Sequence, residues 1–329
     1  MDKRILIGIV LCWMACEKQV ETLVHQGYAL GTSYGVQYAP IDRSYEEVQK
    51  GIDSLFYIIN ASLSTYLPAS VISKINRGDS LVTVDEHFQK VYAQANEMWT
   101  ITNGYFDPTI GAWVNAYGFG PDKALVSINK QQRDSLMEIT GWKKIQLNSD
   151  YRVRKEKPEI YIDFNALAKG YTVDVIADYL SQLGSQHHLV EIGGEIVAKG
   201  KSPKSGEAWK IGIDSPNEKA ERSLQSILAI SNEALATSGN YRKFRIDEIT
   251  GEKYVHSINP LIGKPVRSKV LSVSVKAPNC MMADAYATAL MVMPFVESKA
   301  LIESNNGLAA YWILSSDGGQ LEEVFSSRW

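Results

Sequence analysis

Cysteine is scarce in this chain, and its scarcity excludes a disulfide-built fold. The 329 residues hold three cysteines. Cys12 and Cys16 fall at the N-terminus and only Cys280 lies deep in the chain, so no disulfide framework can form within a processed monomer. Cys280 has no spaced Cys or His partner and reads as a small core residue near a helix start rather than a metal ligand. Histidine is scarce too: the five present show neither H-E-x-x-H nor H-x-x-x-H spacing. A surplus of one charge is missing, with a formal net charge of −3 and no Lys/Arg-rich block, so no global field draws in nucleic acid. Heptads, strict repeats, low-complexity segments and any convincing linker after residue 27 are absent as well. So are the common nucleotide and hydrolase signatures. "GEIVAKGKS" has Glu195 where a P-loop needs glycine. "YGFGPDKA" has Gly118 and Gly120 but no third glycine of the dinucleotide fingerprint. "LATSGN" lacks the first glycine of a nucleophile elbow around Ser238, which removes the basis for a hydrolase built on Ser238, His256 and Asp284.

What is present begins with a leader. Lys3 and Arg4 precede an apolar run from Ile5 to Ala15, too short to span a bilayer and right for a signal-peptide core. It ends in Ala15-Cys16, which resembles a bacterial lipoprotein signal, with Trp13 standing where that motif usually has Leu. The expectation is a signal peptide at 1–15, lipidation of Cys16, a polar tether at 16–27 and one domain over 28–329. A plain secretory signal or a short anchor is the other reading. With 45% hydrophobic and 22% charged residues, that domain can bury a sizeable core.

The pattern of the domain predicts α+β. "GYALGTSYGVQYAP" alternates as a strand. Ser44 and Glu47 have capping-box spacing ahead of a helix carrying Val48, Ile52, Leu55, Phe56 and Ile59. A second helix runs from about Asp85 to Thr100, stopped by Asn103-Gly104, and a short one lies near 130–139. "EIYIDFNALAKGYTVDVIADYLSQLG" reads as strand, turn, helix, with Gly184 as the stop. Strands follow near 187–192, 208–213, 225–231 and 241–247. "KVLSVSVKA" is another, ahead of a helix over "NCMMADAYATALMVM"; a helix near 295–304 then leads to the strand "LAAYWILS". Strands interrupted by long helices imply mixed or antiparallel sheets flanked by helices.

Polar clusters stand out against this frame. Asp284 and Thr288 are one turn apart in an apolar helix, and a buried carboxylate must be paired or metal-bound. Carboxylate, hydroxyl and a nearby backbone carbonyl make a hard-oxygen set that suits Mg²⁺. Asp107, before Pro108, is either a binding group or an Asp-Pro turn. Asp163 and Lys169-Gly170 flank a helix start, where an anion such as phosphate can bind; a cap and a solvated lysine are the plainer account. Gly193-Gly194 allow a turn or a close backbone approach. Thr237, Ser238 and Gly239 read as following a strand, there to hold a polar ring or a phosphate, or simply to cap a turn. His256 precedes a loop punctuated by Asn259-Pro260 and Gly263-Lys264-Pro265.

In order, the motifs are Leu30-Gly31-Thr32, Ser64-Thr65-Tyr66, Gly104-Tyr105-Phe106-Asp107-Pro108-Thr109, Asp163 through Lys169-Gly170-Tyr171, Gly193-Gly194, Thr237-Ser238-Gly239, His256 with Asn259-Pro260 and Gly263, and Ala283-Asp284-Ala285 with Ala287-Thr288-Ala289. Together they resemble the ApbE-type flavin transferases, over about residues 28 to 315. The resemblance implies an active-site cleft between two subdomains. It implies that FAD is the substrate and Mg²⁺, with Mn²⁺ as alternative, the cofactor. FMN then passes to a Thr or Ser hydroxyl of an acceptor protein by a phosphoester bond, with release of AMP. Asp284, Thr288 and the Ala166 carbonyl match the metal ligands. Leu30, Tyr66, Tyr105, Phe106, Asp107, Asp163, Lys169 and Ile258 match positions that contact FAD, and Thr237, Ser238 and Gly239 join that set. His256 matches the histidine linked to transfer, with Lys169 beside it in catalysis. Partners are an acceptor with a flavinylation motif, such as a membrane redox subunit or exported electron carrier, and a membrane through the lipid anchor, facing the periplasm of a bacterial envelope. Leu30 stands where the family often has Met, and Asn259 where an Asp is common. A Mg²⁺-dependent FAD pyrophosphatase and a non-enzymatic FAD-binding lipoprotein are the alternatives.

Overall fold

A computed structural model describes residues 21–125, 127–216, 223–240, 244–246, 253–316 and 320–329. The expected signal peptide, Cys16 and residues 16–20 of the tether lie outside the described residues, as do 241–243 and 247 of the strand expected at 241–247.

The described chain opens with a hairpin of β1 (Leu23–Ala29) and β2 (Thr32–Tyr38). This corrects two expectations. The strand reaches into the supposed tether, and "GYALGTSYGVQY" is two strands, not one. Leu30 and Gly31 both take left-handed backbone, φ 51° and 75°, which a two-residue hairpin turn requires. The alternating pattern runs straight through that turn, so it reads as continuous. Next come α1 (Tyr45–Leu63), α2 (Val71–Asn76), α3 (Glu86–Ile101), α4 (Gly111–Ala116) and α5 (Lys130–Glu138). The capping box is real: the Glu47 amide donates to Ser44 Oγ at 3.2 Å and the Ser44 amide to Glu47 Oε2 at 2.9 Å. Asp85 caps α3.

A small hairpin, β3 (Ile145–Leu147) and β4 (Val153–Lys155), leads to α6 (Asn165–Gln182). The strand expected at Ile160 and Ile162 does not form. Both side chains are buried, but the backbone of Ile162 is paired by the Asn76 side chain, with both hydrogen bonds at 2.8 Å. A side-chain amide thus does the work of a neighbouring strand. The chain continues through β5 (His188–Ile192), β6 (Glu195–Lys199), β7 (Trp209–Asp214), β8 (Leu224–Ile230), β9 (Glu233–Gly239), β10 (Phe244–Ile246), β11 (Lys253–Val255), β12 (Ile258–Asn259), β13 (Lys264–Pro265) and β14 (Val270–Ala277). It ends with α7 (Cys280–Val292), α8 (Phe295–Glu303), β15 (Ala309–Ser315) and β16 (Leu321–Phe325).

Eight strands form one sheet in the order β1-β2-β5-β6-β9-β14-β15-β16, and every pairing among the described residues is antiparallel. Both faces are covered. Val190, Ile192 and Ala234 point to the helices, packing with Ile52 of α1 and Val173 and Ile176 of α6. Leu189, Ile196 and Leu235 point the other way, onto Trp209, Ile211 and Ile230 of the β7–β8 hairpin. Such double burial replaces alternation by near-continuous apolar runs, as in "LAAYWILS". Among the described residues no helix is long and apolar enough to cross a membrane.

His188, the first residue of β5, is fully buried, with Nδ1 3.2 Å from Ser185 Oγ and Nε2 without a hydrogen-bond partner. Burial, with Lys199 nearby, pushes its pKa down to about 4. Between pH 6.5 and 4 the unfolded chain therefore takes up a proton that the folded chain refuses, so stability falls as the pH drops. Denaturant unfolding at pH 7 and 4.5 should show about 2–3 kcal/mol lost through this group. His188→Gln should flatten that dependence; an unchanged pH profile would contradict it.

Candidate active site

The site grows from the crossing of α6 and α7. Gly170 touches α7 so closely that a side chain there would strike the Cys280 carbonyl and the Asp284 Cβ. The helices exchange bonds at this point. The Gly170 amide of α6 donates to Asp284 Oδ2 at 3.1 Å. The Asp174 carboxylate, one turn further along α6, accepts the Cys280 and Met281 amides at 2.7 and 2.8 Å, and so satisfies two orphan donors at the start of α7. Burial pushes the Asp174 carboxyl up to about 7, while those amide bonds pull it down. Asn279 adds the N-cap bond to the Met282 amide at 2.8 Å.

Three charged side chains meet here. Asp284 and Glu195 are each only 3% exposed. Lys169 Nζ lies 2.5 Å from Glu195 Oε1 and 3.8 Å from Asp284 Oδ2. Burial disfavours the Lys169 ammonium, but Asp284 and Glu195 outweigh it and hold its pKa above the usual lysine value. Burial pushes both carboxyls up, and Lys169 opposes it. The lysine side chain is 31% exposed, so an anion can reach it from outside. Thr288, one turn beyond Asp284, has its Oγ1 3.5 Å from Ser238 Oγ.

The other chemistry-bearing loops are held by bonds of their own. Asp107 accepts the Thr109 amide and hydroxyl at 2.8 and 2.6 Å and the Trp142 amide at 2.9 Å. The Pro108 carbonyl takes the Asp163 amide at 2.8 Å, and Asp163 Oδ1 takes the Asn165 amide at 2.7 Å. Tyr66 is 61% exposed, and burial and the nearby Asp163 charge raise its pKa. His256, half-buried between β11 and β12, sets its ring edge-on to Phe119 at 6.1 Å. Its neighbour Ser257 donates to Asn240 Oδ1 at 2.7 Å, which ties the segment to the end of β9. Gly263, φ 59°, sits against Trp113, and its carbonyl accepts from Tyr117 at 3.2 Å and Arg133 at 3.0 Å.

The ApbE family model matches residues 30–312. The chain is 34% identical to the FAD:protein FMN transferase of Haemophilus influenzae, covering 96% of this chain and 93% of that protein. It is 34% identical to the Vibrio cholerae protein of the same name, covering 98% and 96%. The solved structure of the flavin transferase ApbE from Vibrio cholerae superposes with a TM-score of 0.84 at 32% identity, covering 94% of this chain and 98% of that one. The Pseudomonas stutzeri flavinyl transferase ApbE, apo form, gives 0.81 at 27%, covering 94% and 97%. The chain belongs to the ApbE family.

Within this ApbE-family fold the expected residues separate by surroundings. Lys169, Asp284, Thr288 and Ser238 converge. Phe106 is in the core, Ile258 is buried and Tyr105 is half-buried. The Asp107 carboxylate is engaged in tying its own loop to the segment at Trp142. Leu30 is half-buried in the β1–β2 turn and packs on the α1–α6 core. Thr237 and Ser238 lie within β9, not after it, so they point to opposite faces. Ser238 shares the helix side with Ala236, whereas Thr237 Oγ1 meets Ser274 Oγ across the sheet at 2.8 Å. Asn259 Oδ1 accepts the Leu261 amide at 2.9 Å, an Asx turn within its own loop. Among the described residues no group of three or more His, Cys, Asp or Glu side chains is placed to hold a metal, so any cation must use hydroxyl and carbonyl oxygens as well. Glu195 and Asp174 escape sequence reasoning, though Glu195 has a signal: it shares parity with the inward Val197 and directly precedes the apolar run Ile196-Val197-Ala198.

Gly170→Ala should force α6 and α7 apart. A net loss of about 1–3 kcal/mol in denaturant unfolding is expected, despite alanine's better helix propensity. A variant as stable as the parent would overturn the close-contact account.

Proposed function

We propose that this protein is an FAD:protein FMN transferase, moving FMN from FAD to a Thr or Ser hydroxyl of an acceptor protein and releasing AMP. The observation that carries this reading is the α6–α7 crossing, where ammonium, carboxylate and hydroxyl converge in an ApbE-family chain. Lys169 neutralises charge on the pyrophosphate, and the exposed Tyr66 offers an aromatic face to a flavin or adenine ring. The acceptor oxygen attacks the FMN phosphorus, the bridging P–O bond breaks, and AMP leaves as its phosphate. His256 is assigned to orient the acceptor hydroxyl and take its proton.

The oxygen donors fit a small hard cation. Asp284, Thr288 Oγ1 and the Ala166 carbonyl would hold Mg²⁺, with Mn²⁺ as substitute. The Gly170 amide donates to Asp284 Oδ2, and helix geometry directs the Ala166 carbonyl toward that same amide, which supports including the carbonyl in the set. When bound, the cation supplies charge neutralisation on the phosphoryl oxygens.

The full chain in detergent, incubated with FAD, Mg²⁺ and an acceptor bearing a Ser-Gly-Ala-Thr-type motif, should add the mass of one FMN residue to the acceptor and release AMP. Free FMN with an unmodified acceptor would replace transfer by pyrophosphatase chemistry, and intact FAD would leave a binding protein. Asp284→Ala should abolish metal-dependent turnover while the protein stays folded. His256→Ala should slow transfer far more than it weakens FAD binding; equal losses would make it a binding residue.

We also propose export and anchoring at the bacterial cell envelope through a lipid on Cys16, on the strength of the basic residues, apolar run and Ala15-Cys16 of the leader. Cys16→Ser should move the protein from the membrane to the soluble fraction; continued membrane retention would refute the lipid anchor.

A further inference from the structure

Lys169 stands between two buried carboxylates but is bonded firmly to only one. Its Nζ is 2.5 Å from Glu195 Oε1 and 3.8 Å from Asp284 Oδ2. A lysine ammonium rides on a flexible four-carbon stem, so the backbone alone does not keep it off Asp284. Glu195 does. It is the first residue of β6, it follows the Gly193-Gly194 turn, and it lies on the helix side of the sheet with Val197. Its Oε1 takes the Lys169 ammonium, and its Oε2 is buried without a hydrogen-bond partner.

We propose that Glu195 is a positioning residue that holds the Lys169 ammonium away from Asp284, leaving an Asp284 oxygen for a divalent cation. The inference rests on the cation reading given above. Without the Glu195 carboxylate the ammonium closes onto Asp284, and a cation must break that ion pair before it can bind. Glu195 thus acts on the cation through Lys169. This predicts coupling: the effect of losing Glu195 depends on the lysine being present.

The test is a double-mutant cycle read by Mn²⁺ electron paramagnetic resonance on the full chain in detergent, without FAD or acceptor. Glu195→Gln should weaken Mn²⁺ binding about tenfold or more. In a Lys169→Met background the same change should cost almost nothing, because no ammonium remains to collapse. Equal Mn²⁺ affinity in wild type and Glu195→Gln overturns the proposal alone. An equal loss in both backgrounds overturns it too, since that is what a merely structural or directly ligating Glu195 would give. No Mn²⁺ binding by the wild type removes the cation from the proposed function, and this inference with it. Should Glu195→Gln lack cooperative unfolding, Glu195→Asp takes its place. A smaller loss that Lys169→Met cancels supports the proposal, and a loss that persists overturns it.

Discussion

The absent side chain of Gly170 sets the distance between α6 and α7, and the rest of the site depends on that distance. At this separation each helix offers the other what its backbone lacks. The Asp174 carboxylate of α6 takes the first amides of α7, and the Asp284 carboxylate of α7 takes the Gly170 amide of α6. Asp174 lies four residues after Gly170, and Asp284 four after Cys280, so both pairs repeat the helical turn and face each other along one seam. A wider crossing would leave amides of α7 unpaired in the protein interior and would take Asp284 off its partners.

A buried Glu–Lys–Asp cluster is a poor way to stabilise a protein. Taking two carboxylates and much of a lysine out of water can cost more than ion pairing returns, and well-packed apolar side chains of similar size often serve stability as well or better. The cluster also sits among apolar neighbours of α6, α7 and β6 that would accept such a replacement. Its presence accords with the proposed function, in which the ammonium would meet phosphate oxygens and the Asp284 carboxylate a cation. Burial raises the strength of both by removing the competing water.

The longer helices of this chain are legible where residues declare an end, whereas the six-residue α2 and α4 carry too little pattern to be read. Ser44 with Glu47, Asp85, Asn279 and Gly184 mark boundaries that the structure keeps. The sheet is less legible for two physical reasons. Strands buried on both faces lose their alternation, and β6 and β9 hide inside segments that read as turns. Thr237 and Ser238 show the consequence. Taken as a loop they form one polar patch; taken as strand they divide between the helix side and the Ser274 side. Asp284 with Thr288 is legible because a carboxylate in an apolar helix has few explanations. Glu195 and Asp174 are not, since their partners lie on other elements and no local pattern announces them.

That difference bears on what the paired glycines do. Gly193 and Gly194, φ 62° and 103°, form the two-residue turn between β5 and β6, and a side chain on Gly193 would strike Thr32 of the neighbouring strand. The turn pairs Ile192 with Glu195 and thereby fixes the register of β6. Register decides face. A slip of one residue would carry Glu195 to the β7–β8 side, put Ile196 under α6, and leave Lys169 with Asp284 as its one close carboxylate. The backbone geometry of two glycines thus determines which carboxylate holds the lysine, and the turn belongs to the site as much as the charges do.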